Sequence, residues 1–162
     1  NANIDLSGLT VQKLRINTAS ADVNINYSTG VQNKVDMDTF FVKVDMGSLN
    51  VRQLNLARSK VVVADVGFGN MFLDFSSRPT VNNRVIGSVG AGNLVIQLPD
   101  AEVPVVVTIT DSWLCSTNLS KSLNKIGPNK YANAAYTKNS KDALVFDLNV
   151  SMGKIVFREK LN

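Results

Sequence analysis

Acyl transfer through imidazole needs a histidine, and this sequence contains none. Ser/His/Asp triads and Cys/His dyads are thereby excluded. The single Cys115 has no second cysteine to bridge and no histidine with which to share a zinc ion, so it reads as a small packing residue. Carboxylates remain, and the pairs worth weighing are Asp36 with Asp38 and Asp65 with Asp74. In Val35-Asp36-Met37-Asp38 the two acids lie two apart, which on a strand puts both on the solvent face and Val35 and Met37 on the other. A glycosidase pair needs carboxyl groups about 5 Å apart for retention or about 6.5–9.5 Å for inversion. Nearly any i, i+2 strand pair meets that, so the spacing reads as a solvated face and no catalytic residue is assigned.

Gly67-Phe68-Gly69-Asn70 and Gly87-Ser88-Val89-Gly90-Ala91-Gly92 carry enough glycine for backbone amides to approach a phosphate. Neither precedes a helical pattern, neither keeps the order Gly-x-Gly-x-x-Gly, and no Gly-Lys-Ser/Thr follows. They read as corners where glycine supplies positive φ or close packing. The calcium-binding nonapeptides of β-helices need Asp at such turns, and Asn70, Asn93, Ser48 and Lys154 stand there instead. Neither a metal nor a cofactor is expected. Stacked asparagines that satisfy backbone groups are.

The remaining chemistry is that of recognition. Trp113, Tyr131 and Tyr136 fall in one stretch with Lys121, Lys125 and Lys130, and aromatic and cationic side chains together anchor partners or anionic polymers. The competing reading makes the same stretch a lid over the end of a core.

Short strands must position these residues. Leu14 and Ile16, Val23 and Ile25, Val42 and Val44, Val61 and Val63, Met71 and Leu73, and Val105 with Val107 alternate with period two. Val61-Val62-Val63 and Leu144-Val145-Phe146 suggest strands sheltered on both faces. Gly47-Ser48-Leu49-Asn50-Val51, Gly69-Asn70-Met71-Phe72-Leu73, Gly92-Asn93-Leu94-Val95-Ile96 and Gly153-Lys154-Ile155-Val156-Phe157 share one pattern, with Ala21-Asp22-Val23 a looser copy. Their leading apolar residues are 23, 49, 71, 94 and 155, and the middle intervals are 22 and 23 residues. Leu9, Val11, Leu14 and Ile16 also recur 40 residues on as Leu49, Val51, Leu54 and Leu56. Periods of this size belong to solenoids. A chain of hairpins, with Val61–Val66 and Met71–Phe75 as antiparallel arms, competes locally.

Residues 112–141 interrupt the rhythm with five lysines, no acid and a Gly127-Pro128-Asn129 turn. The final unit, Val145 to Phe157, resumes the pattern and is expected to close the last coil. The 19 asparagines and only two glutamates suit turn-rich β structure. The net charge of +4 is scattered, which disfavours nucleic acid as a partner. No stretch approaches the roughly 18–20 apolar residues that span a bilayer, so no membrane insertion by this segment is expected. The 162 residues read as one all-β domain, 1–162, and a start at Asn1 suggests a fragment of a longer exported or membrane-tethered protein.

Val85-Ile86-Gly87-Ser88-Val89-Gly90-Ala91-Gly92-Asn93-Leu94-Val95-Ile96-Gln97-Leu98-Pro99, followed by Val103-Pro104-Val105-Val106-Val107, resembles the toast-rack family of bacterial envelope proteins. That family includes LiaF-like regulator domains and adhesins. Ile4 to Ile16, the Gly127 to Tyr136 loop and Leu148 to Ile155 agree, while Ala21-Asp22 and Met46-Gly47-Ser48 depart from its usual Gly-Asp turn. The resemblance implies a single-stranded right-handed β-solenoid, extracytoplasmic, without cofactor or catalytic residues. Its implied function is non-enzymatic contact with an envelope protein, as scaffold or stress-sensing regulator. The alternatives are an adhesin or polysaccharide-binding module and, behind these, a carbohydrate-active β-helix enzyme acting through Asp36, Asp38, Asp65 and Asp74.

Overall fold

Alternation of apolar with polar residues, broken by Gly, Asn, Ser and Pro, divides the chain into strands, most of which bury one face. The structure is a computed structural model that describes residues 1–160; the last two positions of the expected 1–162 domain lie outside the described residues. Seven strands form one sheet in the order β1 (Ala2–Asp5), β3 (Asp22–Asn26), β5 (Ser48–Val51), β7 (Asn70–Asp74), β9 (Asn93–Gln97), β15 (Lys154–Arg158) and β11 (Ser116–Asn118). Eight form the other: β12 (Asn124–Gly127), β13 (Lys130–Ala132), β10 (Val105–Asp111), β14 (Leu144–Val150), β8 (Arg84–Val89), β6 (Ser59–Val66), β4 (Met37–Val44) and β2 (Lys13–Thr18). Among the described residues, helix is limited to a 3-10 turn at Leu54–Ala57. Neither sheet closes into a barrel.

From β1 to β11 the chain alternates between the sheets, and each strand from β1 to β7 pairs in parallel with the strand two further on. The repeat read from the sequence is a true register. Val23, Leu49, Met71, Leu94 and Ile155 form one continuous row across the seven-stranded sheet. A second row, Leu14, Phe40, Val62, Val85, Phe146 and Val107, faces it from the other sheet. Most of these side chains meet in the core between the sheets, where Phe75, Phe146 and Phe157 pack edge to face at 5.4 and 5.7 Å.

Three expectations are corrected. The 40-residue match is not structural: Leu14 and Ile16 lie in β2, whereas Leu54 and Leu56 lie in the 3-10 turn, so shared spacing of leucines did not mean shared position. The hairpin alternative fails because β6 and β7 belong to different sheets. Finally, β14 and β15 do not close the stack at its end. They sit between β8–β9 and β10–β11, with β14 paired in parallel to β8 on one edge and β10 on the other. A strand flanked on both edges satisfies its whole backbone, and its Leu144-Val145-Phe146 run fits that central place. Gly87 on β8 leaves room for it: a β-carbon there would meet Leu148 Cδ2 at 2.7 Å.

The end of the eight-stranded sheet is taken instead by the 112–141 stretch. The β12–β13 hairpin turns at Pro128-Asn129, with Asn129 at φ 53, and pairs antiparallel to β10. Leu123 and Ala132 are buried there and Tyr131 packs against the core, so part of the stretch is the lid.

Candidate functional site

The glycine corners join β4 to β5, β6 to β7, β8 to β9 and β14 to β15. Asn70 N–H donates to Gly47 O at 2.9 Å, Asn93 N–H to Gly69 O at 3.0 Å and Lys154 N–H to Gly92 O at 2.9 Å. Those same carbonyls occupy the space a side chain would need. A β-carbon at Gly69 would lie 2.7 Å from Gly47 O, one at Gly92 2.2 Å from Gly69 O, and one at Gly153 2.3 Å from Gly92 O. Close approach of coil on coil, with positive φ only at Gly47 (89°), accounts for this column. The amides of Gly67 to Asn70 and of Gly90 to Asn93 are spent on the neighbouring turn and offer no cradle for phosphate. Beside it run side-chain ladders: Ser48 Oγ to Asp22 Oδ1 at 2.6 Å, Asn93 Nδ2 to Asn70 Oδ1 at 2.8 Å, and Asn50 to Asn24 to Asn3 at 3.0 and 3.1 Å.

The opposite corner holds residues the sequence reading missed. Asn33, Asn55, Asn83 and Asn133 are all buried. Asn133 Oδ1 accepts from Val105 N–H at 2.9 Å and its Nδ2 donates to Val103 O at 2.8 Å and Ala101 O at 3.3 Å. Asn33 does the same for Val11 and Val35, whereas Asn55 Nδ2 donates to Phe75 O and Ser77 O while its Oδ1 accepts from Asn83 Nδ2. Asn33, Asn55 and Asn133 each pin an irregular connection whose backbone groups would otherwise be unsatisfied, and Asn83 supports Asn55. Nothing but their place before an apolar run distinguishes them among 19 asparagines.

The carboxylates weighed for catalysis are individually engaged. Asp36 accepts from Arg58 Nε at 3.0 Å, and Asp38 pairs with Lys60 at 3.4 Å. Asp65 takes Ser88 Oγ at 2.8 Å and Lys43 at 3.7 Å, and Asp74 accepts from the backbone of Gln53 and Ser76. All but the last contact join neighbouring two-strand units. Asp5 accepts from the hydroxyls of Ser28 and Ser7, which hold its carboxyl well below the usual range. Glu159 is lowered by the hydroxyl of Ser120 at 2.5 Å, helped by Ser122 and by the charge of Lys121. Burial pushes the Tyr27 phenol up. The Cys115 thiol is half-buried and packs against the core.

The six recognition candidates do not form one cluster. Lys125 and Tyr131 are cross-strand partners on the β12–β13 hairpin, with Lys130 beside Tyr131 and Lys121 in the turn before β12. These three lysines are exposed, and no ion pair among the described residues engages them. Trp113 follows the far end of β10, and Tyr136 lies on the connection into β14, near the other end of β10. The seven residues of β10, about 20 Å of strand, separate the two corners.

Trp113 has other company. Successive turns stack, so that Met46 N–H donates to Ala19 O, Phe68 N–H to Asp45 O, Ala91 N–H to Gly67 O and Met152 N–H to Gly90 O. The tips therefore form a row: Met46, Phe68, Ala91, Met152 and Trp113. Met46 is 57% exposed, Phe68 75%, Met152 58%, Trp113 90% and Leu114, beside it, 50%. The visible sequence signal was the middle residue of Gly-x-Gly.

The molecule also carries a polar cleft of about 610 Å³ between the β7–β8, β9–β10 and β13–β14 connections, walled by Arg78, Glu102, Pro104, Lys141 and Asp142. It offers no aromatic surface on which a sugar ring could stack. No helix among the described residues is long and apolar enough to cross a membrane, and no group of three metal-ligating side chains occurs among them.

No protein-family model matches the chain, and no curated protein matches it. One solved structure aligns over nearly its full length: a protein from Clostridium sporogenes described as a "putative cell adhesion protein", with a TM-score of 0.74 and 17% identity, covering 97% of this chain and 96% of that one. At that identity the likeness is one of fold.

Proposed function

We propose that the chain is a non-enzymatic, extracytoplasmic β-solenoid domain that works by contact, as an adhesin whose cationic end grips an anionic surface polymer. The solenoid reading rests on parallel pairing of each strand from β1 to β7 with the strand two further on, and on the unbroken row from Val23 to Ile155. Its last coil is threaded out of chain order. The right hand, the single-domain organisation and the envelope location follow from the toast-rack resemblance, whose glycine motif falls on the stacked corners. The name of the Clostridium sporogenes protein supports adhesion as the class of contact.

One observation carries the contact surface: Lys121, Lys125 and Lys130 stand exposed on the hairpin end of the stack, in a stretch with no acid from 112 to 141. Like charge gathered at one end draws a polyanion far better than the same charge scattered, and the single carboxylate beside it, Glu159 next to Lys121, offsets only part of it. The test is a panel of immobilised polymers, with heparin as a sulfated polysaccharide and dextran as a neutral one. Retention on heparin and not on dextran, lost in Lys121→Ala/Lys125→Ala/Lys130→Ala with an unchanged Tm, is the expected result. Equal retention of that variant overturns the assignment.

The second reading, a scaffold or stress-sensing regulator that binds an envelope protein, is favoured by the family resemblance. Capture of one stoichiometric envelope protein, with no polymer retained, decides for it.

A further inference from the structure

The row of turn tips gathers five of the exposed large apolar side chains, and it owes nothing to the cationic end. Met46, Phe68, Met152, Trp113 and Leu114 project from consecutive corners, with only Ala91 small among them. At about 4.8 Å per parallel strand, the row from Met46 to Trp113 runs about 19 Å. Folding gains nothing from placing such side chains in water, and contiguous exposed apolar surface marks a contact.

We infer that this ridge seats the domain on a lipid surface, with the turn tips entering the boundary between headgroups and acyl chains. The inference goes beyond the adhesion reading, which concerns a different part of the molecule. Three observations select lipid over protein. The ridge is one side chain wide, and its residues line neither the polar cleft nor two smaller ones, so none of these gives it walls with which to hold a peptide. A strip about 19 Å long and one side chain wide also falls far short of the roughly 800 Å² per partner that a stable protein interface buries.

The third observation is charge. Gly67 to Asn70, Gly90 to Asn93 and Ser112 to Ser116 contain no ionisable side chain other than Cys115, which is half-buried; the charges that flank the row are Asp45 beside Met46, paired with Lys43 at 3.4 Å, and Lys154 after Gly153. Seating the Phe68, Ala91 and Trp113 turns therefore strips water from no charge, while Asp45 and Lys154 stay at the margin in water. Ser48, Asn70, Asn93, Ser112 and Ser151 flank the tips, where neutral hydrogen-bonding groups meet headgroups, and Trp113 is the residue type that favours this depth. This is shallow docking through turns; no segment spans.

Trp113 is the sole tryptophan and reports its own surroundings. The full chain is titrated with pure phosphatidylcholine vesicles while Trp113 emission, quenching by brominated lipid and co-sedimentation are followed. The expected results are a blue shift, quenching, and co-sedimentation reduced at least tenfold in Phe68→Ser/Met152→Ser, whose Tm stays at the wild-type value because both side chains are exposed. Addition of anionic lipid should change partitioning by no more than about twofold. Unshifted emission with no co-sedimentation overturns the inference, as does partitioning that needs anionic lipid and vanishes in the triple lysine variant. A blue shift that grows with protein concentration without vesicles overturns it in favour of a second copy of the chain.

Discussion

Gly69, Gly92 and Gly153 are buried, and opposite their missing side chain stands a carbonyl oxygen that also accepts the hydrogen bond of the next residue. Gly92→Ala must displace Gly69 O, so it should destabilise the protein by about 1–3 kcal/mol in denaturant unfolding. Gly127→Ala, whose β-carbon meets only Lys130 Cβ at 3.8 Å, should stay within about 0.5 kcal/mol of wild type. Equal effects would remove the close-approach account. Asp5 supplies a second prediction. An unfolded aspartate titrates near about 3.9, and Ser28 and Ser7 hold the folded group lower. Its contribution to stability is thus full above the unfolded value and is lost as pH falls from there through the folded one. In an NMR titration, Ser28→Ala should raise the Asp5 midpoint toward the ordinary value, and an unmoved midpoint would contradict the assignment. At this scale the glycines were legible in the sequence because their spacing repeats. Asn133 was not, because a buried asparagine looks like an exposed one until its three backbone partners are placed. Asn133→Ala strands Val105 N–H and two carbonyls and should cost about 2–3 kcal/mol.

At the scale of elements, strand positions followed from period-two patterning, and five leading residues spread over more than 130 positions fell into one row. The order of the strands did not follow. Parallel pairing is set by which edges remain open, and nothing local in Leu144–Val150 tells β8 from β10 as its neighbour. The two-sided apolar run did signal a central strand. Amide hydrogen exchange should accordingly find β14 and β15 among the most protected strands although they are last in the chain, with β1 and β2 exchanging first as edges. Fraying from the C-terminal side through β15 would contradict the inserted position. Phe146 touches Phe75 and Phe157, so Phe146→Ala should cost about 3–5 kcal/mol.

At the scale of the whole molecule, the stack separates three tasks. Its core and asparagine corners hold the shape, its hairpin end presents lysines, and its glycine corner presents a ridge of apolar tips. The sequence grouped Trp113 with the lysines because they are close in the chain. The strand β10 separates Trp113 from Tyr136, and the stacking of turns gives Trp113 to Met152 and Phe68 instead. Contact through the cationic end is the central functional claim, and its most direct test is the affinity for heparin across a salt series. The account predicts that Lys121→Ala/Lys125→Ala/Lys130→Ala weakens binding at least tenfold and flattens the dependence on log salt by about two to three units, while Lys13→Ala/Lys34→Ala at the other end does neither. Equal affinities and slopes for the two variants would contradict it.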